Sequence, residues 1–185
     1  MTAPHSSLHK QFTRLARYNH WMNERLYALA AQMSDEERKL DRGAFFKSIH
    51  GTFNHILLGD RIWLARFANS GRAFAALMDH AAPPGVTALG DELYSDFPTL
   101  AHERNKTDLA IEAWMAELDD AILDSTLRYK RMNGEAHEHP FWLVLTHFFN
   151  HQTHHRGQAT TLLMQLGIDP GATDLIVLPG FERPG

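Results

Sequence analysis

Apolar residues recur at helical spacing through four long stretches of this chain, and that pattern sets its fold class. The first stretch runs from about Ser6 to Gln32 and carries Leu8, Phe12, Leu15, Trp21, Met22, Leu26 and Leu29 at that spacing. Ser34 and Glu37 then sit as a capping box for a short turn. The second stretch spans about Ala44 to Asn69 and stops near Gly71. Pro83, Pro84, Gly85 and Gly90 predict a loop, with a short helical piece around 91–95. A third helix is predicted from about Thr99 to Asp124, with Leu109, Trp114, Leu118 and Ile122 on its apolar side. The Asn133-Gly134 pair predicts a β-hairpin of two short strands. Pro140 suits the first turn of the fourth helix, which should end at Gly167 with Pro170 beyond it. The apolar run 174–179 reads as an extended strap. The expected fold is all-α: a four-helix bundle with a short β-hairpin before the last helix, residues 1–185 forming one domain.

Composition excludes several functions. The net charge of -4 gives no general attraction for nucleic acid or an anionic membrane. No apolar run is long enough to span a bilayer, and 1–7 lack a signal core, so the expected compartment is the cytoplasm. The chain has no cysteine, which removes disulfides, thiolate metal sites and a cysteine nucleophile.

The segment 147–158 carries the chemistry. It places His147, His151, His154 and His155 within nine positions of the fourth helix. Imidazole is the commonest protein ligand for transition metals, and two histidines four apart on a helix can close on one ion. On a wheel of ~100° per residue, Phe141, Val144, Leu145, Phe148, Ala159, Leu162, Leu163 and Leu166 form the core face. His155 falls inside that face and His151 at its edge, whereas His147 and His154 fall on the polar flank. A buried imidazole pair is costly without a partner, and a shared ion removes that cost. Three protein ligands with one open position are the common catalytic arrangement. The second helix offers His50 and His55. His55 borders its apolar face (Phe45, Ile49, Phe53, Ile56, Leu57, Trp63, Phe67), and Gly59 lies one turn beyond. Glycine in a helix interior costs ~1 kcal/mol against alanine, so something there needs the room. His50 lies on the opposite border and is less favoured. The predicted ligands are therefore His55, His151 and His155. A lone buried histidine is more often a satisfied core residue, and His55 by itself would read that way; the paired His151 and His155 do not. His137 and His139 read as surface residues of the hairpin. Trp21, Trp63, Trp114 and Trp142 read as fillers of the core or its edge, and Glu117, Asp119 and Asp120 as a wet face. There is no His-Glu-x-x-His, no paired Glu-x-x-His, no phosphate loop and no nucleophile elbow.

Three segments resemble the DinB superfamily, the DinB/YfiT-like metalloenzymes. They are Tyr18-Asn-His-Trp21-Met-Asn23-Glu-Arg-Leu26, His50-Gly-Thr-Phe-Asn54-His55-Ile-Leu-Leu-Gly59-Asp-Arg-Ile-Trp63, and the fourth-helix run from Leu145 to Gln158. The resemblance runs over nearly the whole chain in the same order. It implies a four-helix bundle, usually dimeric, holding a divalent metal on three histidines that fall on His55, His151 and His155. It also implies that Arg156-Gly157-Gln158 follows the last ligand, with Gly157 allowing close helix packing. Some relatives are thiol-dependent transferases or isomerases, others hydrolases.

The expected function is divalent-metal binding in a metal-dependent enzyme, thiol-dependent or hydrolase-like. The alternative is a non-catalytic, stress-responsive dimeric module. Zinc or nickel heads the list of ions, with iron, manganese and copper behind them. The expected partners are a small molecule, a low-molecular-weight thiol supplied as cosubstrate, and a second copy of the chain. No general base stands out; His20 is one candidate. Metal occupancy is expected to fall as pH drops through the ordinary histidine range.

Overall fold

Five of the six described α-helices begin where a short polar side chain takes up a free backbone N–H, and the last begins at Pro140 without such a cap. The computed structural model describes residues 6–79 and 85–180. Ser6 accepts from the His9 N–H and opens α1, Ser7–Ala30. The Ser34–Glu37 capping box is formed as expected and opens α2, Asp35–Lys39. Ser48 caps α3, Ile49–Ala68, and Asp96 caps α4, Phe97–Met115. Asp119 caps the one-turn α5, Asp120–Leu123. A two-stranded antiparallel hairpin follows, β1 Thr126–Lys130 and β2 Ala136–Pro140, with Thr126 opposite Pro140. Gly134 takes the left-handed conformation, φ +87°, that its tip needs. The last long helix is α6, Phe141–Met164; Gly167 at φ +75° turns the chain so that the Ile168 N–H reaches the Leu163 carbonyl. The described residues thus form six helices and one small hairpin before the last of them. No helix among them is long and apolar enough to cross a membrane.

Several boundaries differ from the sequence reading, each for a local reason. The second long helix starts at Ile49 and not at Ala44, because 44–47 form a tight turn. In it the Lys47 N–H meets the Ala44 carbonyl at 2.8 Å, and Lys47 sits at φ 66°. Phe45 therefore leaves the apolar face and is 85% exposed. The third long helix stops at Met115, because the Asp119 carboxylate recruits the Ile122 N–H and restarts the chain as α5. Leu118 and Ile122 stay buried, but Leu109 faces out. The segment 91–95 is a bend and not a helical turn, since Asn54 Oδ1 accepts both the Leu93 and Tyr94 N–H groups. The apolar tail contains a 3-10 turn, Leu175–Val177, in place of an extended strap; only Leu178 of that stretch is buried. Trp114 is a core residue, whereas Trp142 is 40% exposed. Pro83 and Pro84 lie outside the described residues.

α1 lies against α4 and α6, and α3 against α6 and α4. Two apolar clusters result, one around Phe12, Phe67, Trp114 and Phe148, the other around Met22, Phe53, Leu57 and Leu163. A buried polar cluster joins all four long helices. Arg104 on α4 donates to Asp108 Oδ2 at 3.0 Å and Oδ1 at 2.7 Å, and to Asp60 Oδ2 on α3 at 2.5 Å. Gln152 on α6 donates to Asp60 Oδ1 at 2.9 Å. Asn19 and Asn23 on α1 donate to Asp108, and Arg156 on α6 donates to Asn19. Every member is 3% exposed or less.

Removing one partner of a buried ion pair strands the other charge. Asp60→Ala should cost about 3–5 kcal/mol of unfolding free energy. Denaturant titration of the variant checks this; a loss below about 1 kcal/mol would place the pair in the class of weak surface bridges.

Candidate metal centre

α3 and α6 bring three imidazoles together. His55 projects from α3; His151 and His155, one turn apart, project from α6. His55 Nε2 lies 3.2 Å from His151 Nε2 and 3.1 Å from His155 Nε2. One ligand atom from each of the three lies within 4.8 Å of the other two, a grouping that could hold a metal ion.

Hydrogen bonds set the tautomers. A carbonyl can only accept, so His55 Nδ1 carries a proton and donates to the Leu89 carbonyl at 2.7 Å. His155 Nδ1 likewise donates to Gln158 Oε1 at 2.8 Å. Each ring is then left with its Nε2 lone pair facing the centre. Two lone pairs 3.1 Å apart repel unless a cation lies between them. A tetrahedral ion with bonds of about 2.0–2.1 Å would hold its ligand nitrogens roughly 3.3 Å apart. The observed spacings of 3.1 and 3.2 Å fit that demand.

Burial keeps the rings neutral. It pushes His55 down to about 4, against the pull of the Leu89 bond and with the help of His155. Burial pushes His151 down to about 3, reinforced by the neighbouring histidines, and burial also lowers His155. A neutral imidazole is the form a metal needs.

Two glycines make the geometry possible. A Cβ on Gly59 would stand 2.7 Å from His151 Cε1, so the room that this glycine leaves is filled by a triad ring. A Cβ on Gly51 would stand 2.2 Å from the Phe46 carbonyl oxygen, so Gly51 lets the 44–47 turn sit against α3. That turn lays the Phe46 ring on His55 at 3.7 Å between centroids, tilted by 15°. One side of the triad opens into a cavity of about 820 Å³, bordered by Phe46, Lys47, Asp41 and Glu92 among others.

The other histidines are placed elsewhere. His50 is buried beside the cavity, donating from Nε2 to the Tyr94 carbonyl, while its Nδ1 is buried without a hydrogen bond. His147 stacks edge-on against Trp63, and His154 against His155, both outside the group of three. His137 and His139 stack with Tyr129 on the hairpin. His20 contacts Glu112 and Asn105 on α4 and does not border the cavity, so it is not placed as the base. Gly157 has open space where a Cβ would go, so it does not serve close helix packing; the neighbouring Arg156 is buried in the polar cluster instead. The parts that sequence reasoning missed are Phe46, Leu89 and the tautomer role of Gln158. Only Gln158 had a local signal, three residues after His155.

Gly59→Ala should displace His151 while slightly favouring the helix itself. The expected result is a roughly tenfold or greater loss of Zn²⁺ affinity with unchanged helix content, read by competition with a chelating dye and by circular dichroism. Full affinity in the variant would mean that His151 does not ligate from this position.

No curated protein matches the sequence. The model of the DinB family matches residues 7–182, nearly the whole length and all three histidines of the triad. The chain belongs to the DinB family.

Proposed function

We propose that this DinB protein is a metal-dependent enzyme built as a four-helix bundle, with one divalent ion on His55, His151 and His155 and a small organic substrate in the adjoining cavity. The observation that carries the reading is the meeting of three neutral Nε2 atoms at the floor of an open cavity of about 820 Å³. Zinc or nickel suits three imidazoles best, with iron, manganese and copper as further candidates. Such an ion supplies a Lewis acid that activates water or the thiol of a cosubstrate. The chain has no cysteine, so that thiol would come from a low-molecular-weight molecule. Thiol-dependent transfer or isomerisation, and hydrolysis, are the reactions this arrangement supports.

The protein's own groups divide the remaining work. Leu89 and Gln158 hold the ligand rings in their Nδ1–H form. Phe46 shields His55 from water on one face. Asp41 and Glu92 border the cavity and are the carboxylates available to accept a proton. The test is elemental analysis of untagged protein beside its His155→Ala variant. The variant should lose most of its metal and stay helical. Equal metal content in both would remove His155 from the ligand set, and a fourth protein ligand closing the sphere in a metal-loaded crystal would turn the enzyme reading into a binding module.

Protons and metal compete for the same Nε2 lone pairs. A lowered pKa makes the proton the weaker competitor, so the window of metal release moves down from the ordinary histidine range. With His55 near 4 and His151 near 3, metal should stay bound at pH 6 and leave only as pH falls toward 4. Metal retention after dialysis at stepped pH checks this; half-release near the ordinary histidine value of about 6.5 would contradict it.

A homodimer belongs to the same reading, since DinB relatives are usually dimeric. The apolar face of α3 is buried within the chain and is not available for pairing. Leu109, Trp142, Leu143 and Met164 are the large apolar residues exposed on α4 and α6, and they support it. Sedimentation at micromolar concentration should give twice the 21.1 kDa chain mass; a monomer would reject it.

A further inference from the structure

A second cavity, of about 790 Å³, lies between α3, the hairpin and Val86. It shares no lining residue with the cavity at the triad. Its walls are mainly apolar, including Ile62, Ala65 and Met132, and Arg66 stands among them. The Arg66 guanidinium lies over the Trp63 ring at 4.4 Å and near the Tyr129 ring at 5.2 Å. Stacking uses the flat face of a guanidinium and leaves its N–H edge free to bind a carboxylate with two parallel bonds. Among the described residues, no carboxylate pairs with Arg66.

The surroundings add positive charge. Arg128, Lys130 and Arg131 also line this cavity, against Glu138 as its only lining carboxylate among the described residues, with Glu135 3.9 Å from Arg131. Glu138 is taken by Arg128 at 3.0 Å. This excess of cations occurs in a chain whose net charge is -4. Burial, together with Arg131, works against the charge on Arg66, a cost that a bound anion would relieve. On the same wall, His137 Nε2 makes no hydrogen bond and lies 3.7 Å from the Glu135 carboxylate.

We propose that this groove is a binding site for a small organic acid, an aromatic monocarboxylate whose carboxylate meets Arg66 and whose ring lies on the apolar wall beside Tyr129. A single half-buried cation matches one negative charge, and the apolar walls match a body that a bare inorganic anion lacks. Most small-molecule sites have this composition: apolar walls with few polar groups that fix orientation.

The test is calorimetric titration of the full chain with 2-naphthoate, with neutral 2-naphthalenemethanol and with inorganic phosphate. Naphthoate should bind at one site per chain, the alcohol and phosphate roughly tenfold or more weaker. Arg66→Met should weaken naphthoate by about tenfold or more and leave the alcohol unchanged. His155→Ala should leave naphthoate binding intact, which separates this site from the triad. Should Arg66→Met fail to fold, the exposed pair Lys130→Met and Arg131→Met serves in its place, with weakened naphthoate binding expected. No binding at millimolar naphthoate, equal binding by the cation-depleted variant, or loss of binding in His155→Ala would each overturn the proposal. So would a dimer that dissociates on Arg66→Met, since a second copy would then be the occupant.

Discussion

The structure depends on one buried charge, the Arg104 guanidinium held between Asp60 and Asp108. Three ionised groups out of water are costly, and only mutual contact makes them tolerable. The contact cannot be made within one helix. Asp108 lies four residues from Arg104 on α4, but Asp60 comes from α3, the asparagines from α1, and Gln152 and Arg156 from α6. Any slip of one helix against another leaves a buried charge or amide without a partner. The apolar clusters on either side tolerate such slips far better, since contacts between side chains of similar size are interchangeable. The cluster therefore fixes the register that the apolar core leaves loose.

That register is also the register of the triad. Asp60 follows Gly59, and Gln152 follows His151, so the Asp60–Gln152 hydrogen bond at 2.9 Å joins the same α3–α6 crossing at which Gly59 admits the His151 ring. The two polar clusters solve opposite problems. The Arg104 guanidinium meets its two complementary carboxylates inside the protein. At the triad the protons are committed outward, to Leu89 and Gln158, and the lone pairs of His55 and His155 are left facing each other. His151 alone has a ring proton free to point inward, and one proton cannot satisfy both partners. An electron-pair acceptor at the centre satisfies all three.

The sequence made the local parts of this legible and hid the rest. His151 and His155 announced themselves because a helix brings residues four apart onto one side. Gly59 announced itself because a mid-helix glycine needs a reason, and the His151 ring supplies it. Ser34 with Glu37, and Asn133 with Gly134, encode their turns in adjacent residues. Leu89 and Phe46 carry no such signal, since a carbonyl is common to every residue and a loop phenylalanine is indistinguishable from a core one until the chain folds. Periodicity also drew 44–47 into α3, because nothing in the sequence marks Lys47 for a left-handed backbone. The polar cluster escaped notice for the same reason: Asp60, Arg104 and Asp108 look solvated until the four long helices exclude the water.

One face of α3 carries both proposed sites, and its spacing keeps them apart. His55 and Gly59 face the triad, while Ile62 and Arg66 face the groove beside the hairpin. At a rise of ~1.5 Å per residue, the eleven positions from His55 to Arg66 correspond to roughly 16 Å along the axis. A small aromatic acid anchored at Arg66 cannot reach the imidazole centre across that distance. Electrostatics points the same way. Three neutral rings attract a cation, whereas a stacked guanidinium with neighbouring lysine and arginine side chains attracts an anion. The segment 86–90 passes between them, with Val86 on the groove and Leu89 on His55. The proposed metal and acid sites are therefore separable, each with its own residues to remove.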